Sequence, residues 1–163
     1  MSASQGTTRE RNISLSRILA PTDFSPGATK ALHWAVAVKT AFHAELVVLH
    51  VVDLDALAYI GGDPTLGRPS QLVPAELLEQ IRADAEQALS RITESFPGIQ
   101  PMVREGSPRE IILQVAQELG ANLIVMGTHG RSGMARVAFG SVADHVSRHS
   151  KVPVLTVREP ETA

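Results

Sequence analysis

Short runs of apolar, β-branched residues alternate with helix-forming segments along most of this 163-residue chain. The clearest run, Glu-Leu-Val-Val-Leu-His-Val-Val at residues 45–52, is typical of a strand that is buried on both faces of a parallel sheet. Further strands are predicted at residues 17–23, 99–105, 122–126 and 152–157. Strands that alternate with helices connect through right-handed crossovers. The pattern therefore predicts an α/β fold with one open, five-stranded parallel sheet and helices on both faces.

Helix signals occupy the segments between these strands. Ser25-Pro26 and Ser107-Pro108 each pair a capping residue with a proline that suits the first helical turn. Helices are predicted from those points, and also over residues 74–96 and 141–149. The first helix has an apolar stripe close to the 3.6-residue period, formed by Ala28, Ala31, Leu32, Ala35, Val38 and Phe42. Pro101 and Pro153 indicate that the third and fifth strands lie at the edges of the sheet, because a central strand needs its NH groups.

The length suits a single domain. We expect a flexible leader over residues 1–15, the folded domain over 16–158 and a short tail over 159–163. A formal net charge of −2 gives no reason to expect nucleic acid or an anionic membrane as the main partner. The absence of cysteine excludes disulfides, thiolate zinc sites and a cysteine nucleophile. With no apolar run of roughly 20 residues and no secretory signal, we expect a cytoplasmic protein.

A glycine motif follows the fourth predicted strand. Gly127-Thr128-His129-Gly130 is separated by nine residues from Gly140-Ser141, which begins the last predicted helix. Glycines let a backbone approach an anion closely, and NH groups at a helix start favour negative charge. The NH groups of Gly140, Ser141 and Val142 would face a phosphate, and the Ser141 hydroxyl would cap the helix and bind a phosphate oxygen. On spacing alone, a simple turn followed by a helix cap explains the motif equally well.

Two other groups lie at the carboxyl ends of strands, where open parallel sheets bind ligands. Pro21-Thr22-Asp23 follows the first strand, and Val51-Val52-Asp53 ends the second. Together with the glycine motif, these sequences resemble the universal stress protein family, and specifically its ATP-binding branch, which keeps the Gly-two-Gly-nine-Gly-Ser spacing. The resemblance extends over residues 18–157.

The resemblance implies a Rossmann-like or flavodoxin-like three-layer sandwich with strand order 3-2-1-4-5, acting as an ATP-dependent stress-response module. It implies nucleoside contacts from Asp23 and the Val51 backbone. The pocket would be shaped by Pro21 and Thr22, and bordered by Met126 and Gly127. Phosphates would be held by Gly130, Gly140, Ser141 and Val142. The resemblance also implies homodimers through the fifth strand, residues 152–157; an exposed apolar edge strand independently favours such pairing. The protein partner that would read the ATP state is unknown.

Several alternatives remain open at this stage. Asp23 is also a candidate Mg²⁺ ligand beside a triphosphate. His129, Arg131 and Arg136 are candidate phosphate ligands, each with a solvated loop residue as the alternative. A slow ATPase or autophosphorylating enzyme would use Ser141 or Thr128 as acceptor, but no P-loop or kinase signature is present. AMP or a cyclic nucleotide is a further candidate ligand.

The remaining expectations concern individual residues and one long segment. Residues 54–73 contain two adjacent glycines and show no clear period, so we expect a long crossover loop that is a candidate lid. His145 and His149 are spaced to share a metal, but no third ligand is evident and ordinary surface histidines are favoured. We expect His50 to be a satisfied core histidine, and Trp34 and Met134 to pack in the interior.

Overall fold

The computed structural model describes residues 14–58, 74–128 and 140–158. Within them it has five strands and five helices. The strands are β1 (Arg17–Pro21), β2 (Glu45–Asp53), β3 (Ile99–Gly106), β4 (Leu123–Gly127) and β5 (Val154–Val157). The helices are α1 (Pro26–Phe42), α2 (Leu54–Ala58), α3 (Ala75–Glu94), α4 (Pro108–Glu118) and α5 (Ser141–His149).

The strands form one parallel sheet with the order β3-β2-β1-β4-β5. This confirms the predicted strand order. It also confirms the edge positions that Pro101 and Pro153 indicated, since β3 and β5 each pair with a single described neighbour. Pro101 lies inside β3, whereas Pro153 lies just before β5, which begins at Val154 rather than at Val152 as predicted. The Pro153 carbonyl nevertheless accepts a hydrogen bond from the Ile124 NH at 3.0 Å.

Two apolar cores lie on the two faces of the sheet. One core packs α4 and α5 against β-strand residues such as Leu19, Val47 and Ile124. The other packs α1 and α3 against the alternate residues of the same strands, such as Ile18, Leu46 and Val125. Because successive side chains on a strand point to opposite faces, each central strand contributes to both cores. The result is the predicted three-layer arrangement.

The start of α1 follows directly from the sequence. Ser25 is its N-cap, and the Ser25 hydroxyl accepts a hydrogen bond from the Ala28 NH at 3.2 Å. Pro26 occupies the first turn, where its missing NH costs no hydrogen bond. The helix buries Ala28, Ala31, Leu32 and Ala35 and packs against β4 and β1.

Three further differences from the sequence-based expectations concern helices α1 and α2. Residues 54–58 form α2 instead of loop, because the Asp53 carboxylate accepts from the Ala56 NH at 3.0 Å and caps a short helix. Trp34, which was expected to pack in the interior, is 53% exposed. Phe42, at the end of the predicted α1 stripe, is 57% exposed because the helix ends there beyond the core. Met134 and the rest of the predicted loop, residues 59–73, lie outside the described residues.

Candidate functional site

A cavity of 640 Å³ opens at the carboxyl edge of β1, β2 and β4, beside the first turn of α5. Its volume falls within the range of small-molecule sites. Of the thirteen residues that the sequence suggested as ligand contacts, His129, Gly130, Arg131 and Arg136 lie outside the described residues. The structure brings the other nine together on the wall of this one cavity: Pro21, Thr22, Asp23, Val51, Met126, Gly127, Gly140, Ser141 and Val142.

The turn after β1 is fixed by its own side chains. The Thr22 hydroxyl accepts a hydrogen bond from the Phe24 NH at 3.1 Å, and the Asp23 carboxylate accepts from the Ser25 NH at 3.1 Å. Phe24 adopts a φ of 64°, which is uncommon for a residue with a side chain. The Thr22 NH continues the pairing with β2 by donating to the Leu49 carbonyl at 2.8 Å. Asp23 therefore has a defined position at the cavity.

His50 is a cavity residue that the sequence analysis assigned to the core. It is half-buried, and its ring lies 4.4 Å from the Phe24 ring, centroid to centroid. The Nδ1 atom lies 2.8 Å from the Thr22 carbonyl oxygen, so Nδ1 carries the hydrogen and donates. His50 thus supports the turn that positions Asp23. The sequence signal that could have indicated this role is a single polar residue inside the apolar run that forms β2.

The floor of the cavity depends on a close approach between two backbones. A Cβ atom on Gly127 would lie 2.9 Å from the carbonyl carbon of Gly27, in the first turn of α1. Only a residue without a side chain at position 127 lets α1 approach the end of β4 in this way. Met126, which precedes it, is 5% exposed and joins the core beneath the cavity.

The first turn of α5 forms the opposite wall. Gly140 is the N-cap, and its NH donates to the Thr128 carbonyl at 2.7 Å. The fold therefore uses one of the three NH groups that we expected to face an anion. Ser141 is the first residue of the helix rather than its cap, so the predicted capping role of its hydroxyl is wrong. The NH groups of Ser141 and Val142 belong to the first turn, which has no intrahelical acceptors.

Charge at the described part of the cavity is negative. Asp23 and Asp53 both line it, and no lysine or arginine is among its described lining residues. The positive end of the α5 dipole is the opposing electrostatic feature on this wall. Arg131 and Arg136 lie outside the described residues.

His145 and His149 stack on the surface of α5 with ring centroids 4.2 Å apart. His145 Nε2 lies 3.5 Å from a Glu110 carboxylate oxygen, and His149 Nδ1 lies 2.8 Å from the His145 carbonyl oxygen. Among the residues that the structure describes, no group of three or more metal-ligating side chains is found. Nor does this part of the chain contain a helix long and apolar enough to span a bilayer.

A five-stranded parallel sheet with a cavity beside a helix N-terminus defines a Rossmann-like α/β protein. The model of the universal stress protein family matches residues 15–158, and the chain belongs to this family. Universal stress protein MJ0577 of Methanocaldococcus jannaschii is 30% identical over 152 residues, which span 87% of this chain and 94% of the relative.

Solved structures show the same fold. The MJ0577 structure has a TM-score of 0.77 at 27% identity and covers 92% of this chain and 100% of its own. Universal stress protein UspA from Lactobacillus plantarum has a TM-score of 0.70 at 30% identity, with coverage of 90% and 100%. A universal stress protein solved in complex with cAMP has a TM-score of 0.58 at 24% identity, with coverage of 89% and 98%, and shares the fold.

Proposed function

We propose that this protein binds ATP in the cavity and acts as a nucleotide-dependent regulatory module of the stress response. The observation that carries the proposal is the convergence of nine predicted ligand residues on one cavity beside the α5 N-terminus. These residues come from positions as distant as Pro21 and Val142. The glycine spacing of the ATP-binding branch supports ATP as the nucleotide.

The two ends of the cavity suit the two ends of a nucleotide. Val51 and Met126 provide apolar surface for a base, and the Asp23 carboxylate is an acceptor for ribose hydroxyls. The NH groups of Ser141 and Val142 and the Ser141 hydroxyl provide donors for phosphate oxygens. His129 and Gly130 would complete that end. Because Asp23 and Asp53 are both acidic, we propose that a triphosphate enters together with Mg²⁺, which would neutralise part of its charge.

The regulatory part of the proposal requires a surface that reports nucleotide occupancy. We propose that the protein is a cytoplasmic homodimer through the strand at residues 152–157 and that an unidentified protein partner reads its state. Edge strand β5 supports the dimer because its outer side has no described neighbour. The Thr128 NH donates to the Val157 carbonyl at 3.0 Å, which links the cavity directly to the end of β5.

Two alternatives use the same cavity. AMP or a cyclic nucleotide would fill the nucleoside end with fewer phosphate contacts. An autophosphorylating enzyme or slow ATPase would need an acceptor: Ser141 is exposed, whereas Thr128 is 2% exposed and thus poorly placed to act as one. Neither alternative explains the glycine spacing as directly as ATP binding does.

The test of the proposed ligand begins with the protein as purified. Small molecules released by denaturation are identified by mass, and the emptied protein is titrated calorimetrically with ATP, AMP and cAMP. Gly140→Val should reduce ATP affinity by about tenfold or more, because a branched side chain would enter the phosphate end of the cavity. Gly140 has a φ of −68°, so valine fits the backbone.

Ser147→Val is the matched control, since it places the same side chain on the exposed surface of α5. Equal ATP affinity in wild type and Gly140→Val would refute the phosphate assignment. Tighter binding of AMP or cAMP than of ATP would favour the second ligand class. For the enzyme alternative, wild type given γ-labelled ATP should become labelled or release labelled phosphate faster than Gly140→Val; equal rates of both would refute catalysis.

A further inference from the structure

One end of the cavity is formed by residues that the proposed nucleotide contacts do not use. The nine predicted contacts come from β1 and the turn after it, from Val51 of β2, from the end of β4 and from the start of α5. Beyond Val51, helices α2, α3 and α4 also reach the cavity. Their described contributions, which we call the apolar end, are Ala56, Leu57, Ile81, Pro108 and Ile112.

The apolar end extends across the carboxyl edge of β2 from one face of the sheet to the other. Ile112 of α4 belongs to the core on the α4 and α5 face. Helix α3 packs on the opposite face through Leu89, and Ile81 lies about two turns earlier on that helix. Helix α2 follows β2 directly and contacts β3, so it lies at the carboxyl edge of the sheet. A ligand group at this end would therefore contact three helices.

Leu57 and Ile81 present apolar surface that the fold does not use. Both are half-buried and line the cavity, and neither is a member of the two apolar cores in the described part of the chain. Burial of apolar surface is favourable in proportion to the area removed from water. A ligand with an apolar group at this end would therefore gain affinity, whereas a ligand that stops at Val51 would leave these side chains against water.

Charge determines which end of a nucleotide would lie nearest the apolar end. The α5 N-terminus favours phosphate at the β4 side of the cavity. Asp53 lies at the end of β2, and no lysine or arginine is among the described cavity residues. With phosphates at α5, the strand order β4-β1-β2 would put the ribose near Asp23 and the base near Val51. The outer edge of the base, opposite its bond to the sugar, would then face the apolar end.

We propose that the apolar end binds an apolar group carried on the N6 amine of an adenine nucleotide. The proposal rests on the nucleotide function proposed above and names the class of nucleotide that fills the whole cavity, one whose base carries an alkyl or benzyl substituent. The N6 amine lies on the outer edge of adenine, and a singly substituted amine keeps one N–H donor. The Asp53 carboxylate accepts from the Ala56 NH at 3.0 Å and has further lone pairs for that donor.

The same end of the cavity disfavours a second charged group. A phosphate or carboxylate there would be repelled by Asp53 and would lose its hydration against apolar side chains. An apolar substituent on the base therefore suits this end better than the second half of a dinucleotide does.

The test compares ATP with N6-benzyl-ATP by calorimetric titration of the emptied full chain. The wild type should bind N6-benzyl-ATP about tenfold more tightly than ATP, because the benzyl group buries apolar surface that ATP leaves exposed. Ile81→Trp should abolish this preference, because the larger side chain occupies the apolar end. Leu57→Trp repeats the test from α2, at a residue outside both cores.

Ala83→Trp is the matched control. It adds the same side chain to the same helix, but Ala83 is exposed and lies on the opposite side of α3 from Ile81. Its preference for N6-benzyl-ATP should equal that of the wild type. Thermal unfolding of the three variants confirms that each one folds before it is titrated.

The possible results separate this inference from the nucleotide function on which it rests. If the wild type binds ATP but binds N6-benzyl-ATP no more tightly, the apolar end is not a substituent site and ATP binding stands. Retention of the full preference in both Ile81→Trp and Leu57→Trp would also overturn the inference. So would an equal loss of both ligands in these variants, because the unsubstituted base would then occupy the apolar end. Binding of neither ligand to the wild type would overturn the nucleotide function itself.

Discussion

Gly127 shows how one residue connects packing with the candidate site. It ends β4, lines the cavity and brings the β4 backbone against the first turn of α1. A Cβ atom there would meet backbone atoms of Gly27 and Ala28, which cannot rotate away as a side chain can. A side chain at position 127 must therefore displace α1.

We predict that Gly127→Ala lowers the free energy of unfolding by about 1–3 kcal/mol, as overpacking does in cores. Gly120 is a useful control: it has a φ of 60° but open space around its Cβ position. Gly120→Asn should cost less than Gly127→Ala, since asparagine tolerates a left-handed backbone. Urea unfolding measures the stability of both variants. A Gly127→Ala variant that is no less stable than Gly120→Asn would show that α1 accommodates the added methyl group.

Asp23 has two candidate roles, as a nucleoside contact and as a Mg²⁺ ligand, and a substitution can distinguish them. Asp23→Asn keeps an oxygen for the Ser25 NH and removes the charge. If Asp23 accepts from ribose hydroxyls, the change should weaken adenosine and ATP alike, by about tenfold to hundredfold. Titrations with adenosine, ATP and Mg-ATP distinguish the roles: a loss seen with Mg-ATP alone would contradict the nucleoside role and support the metal role.

At the scale of elements, the N-cap of α1 contributes to the stability of the helix. We predict that Ser25→Ala lowers the free energy of unfolding by about 1 kcal/mol, because the Ala28 NH loses its acceptor. Ser25→Thr retains a hydroxyl and should lose less. Thermal unfolding of the pair gives the comparison, and an alanine variant as stable as the wild type would refute the capping contribution.

Sequence patterns predicted those elements whose signals are local. Ser25-Pro26 marked the start of α1, and continuous apolar runs marked the central strands. Helix α2 was missed because five residues are too few to show a helical period, and its cap is the single residue Asp53. The Gly140 NH was misassigned for another reason: its acceptor, the Thr128 carbonyl, lies at the other end of the glycine motif, and no local sequence pattern indicates that contact.

At the scale of the whole molecule, the candidate ligand residues come from both ends of the fold, so nucleotide binding should stabilise the entire chain. We predict that ATP at about 100 times its dissociation constant adds about 2.7 kcal/mol. This corresponds to a rise in Tm of about 5–10 °C. A thermal scan with and without ATP measures it. Gly140→Val should show a much smaller rise, and a wild-type Tm that ATP leaves unchanged would argue against the ligand.

The two edges of the sheet are not equivalent, and this limits how far assembly can proceed. Pro101 removes one backbone donor from β3, where Gln100 and Arg104 are also exposed. Strand β5 has no proline within its bounds. When two copies pair through their β5 strands, both β5 edges become buried. A β3 edge then remains exposed at each end of the combined sheet. In the dimer proposed above, growth would therefore terminate at a closed pair instead of continuing into a fibre.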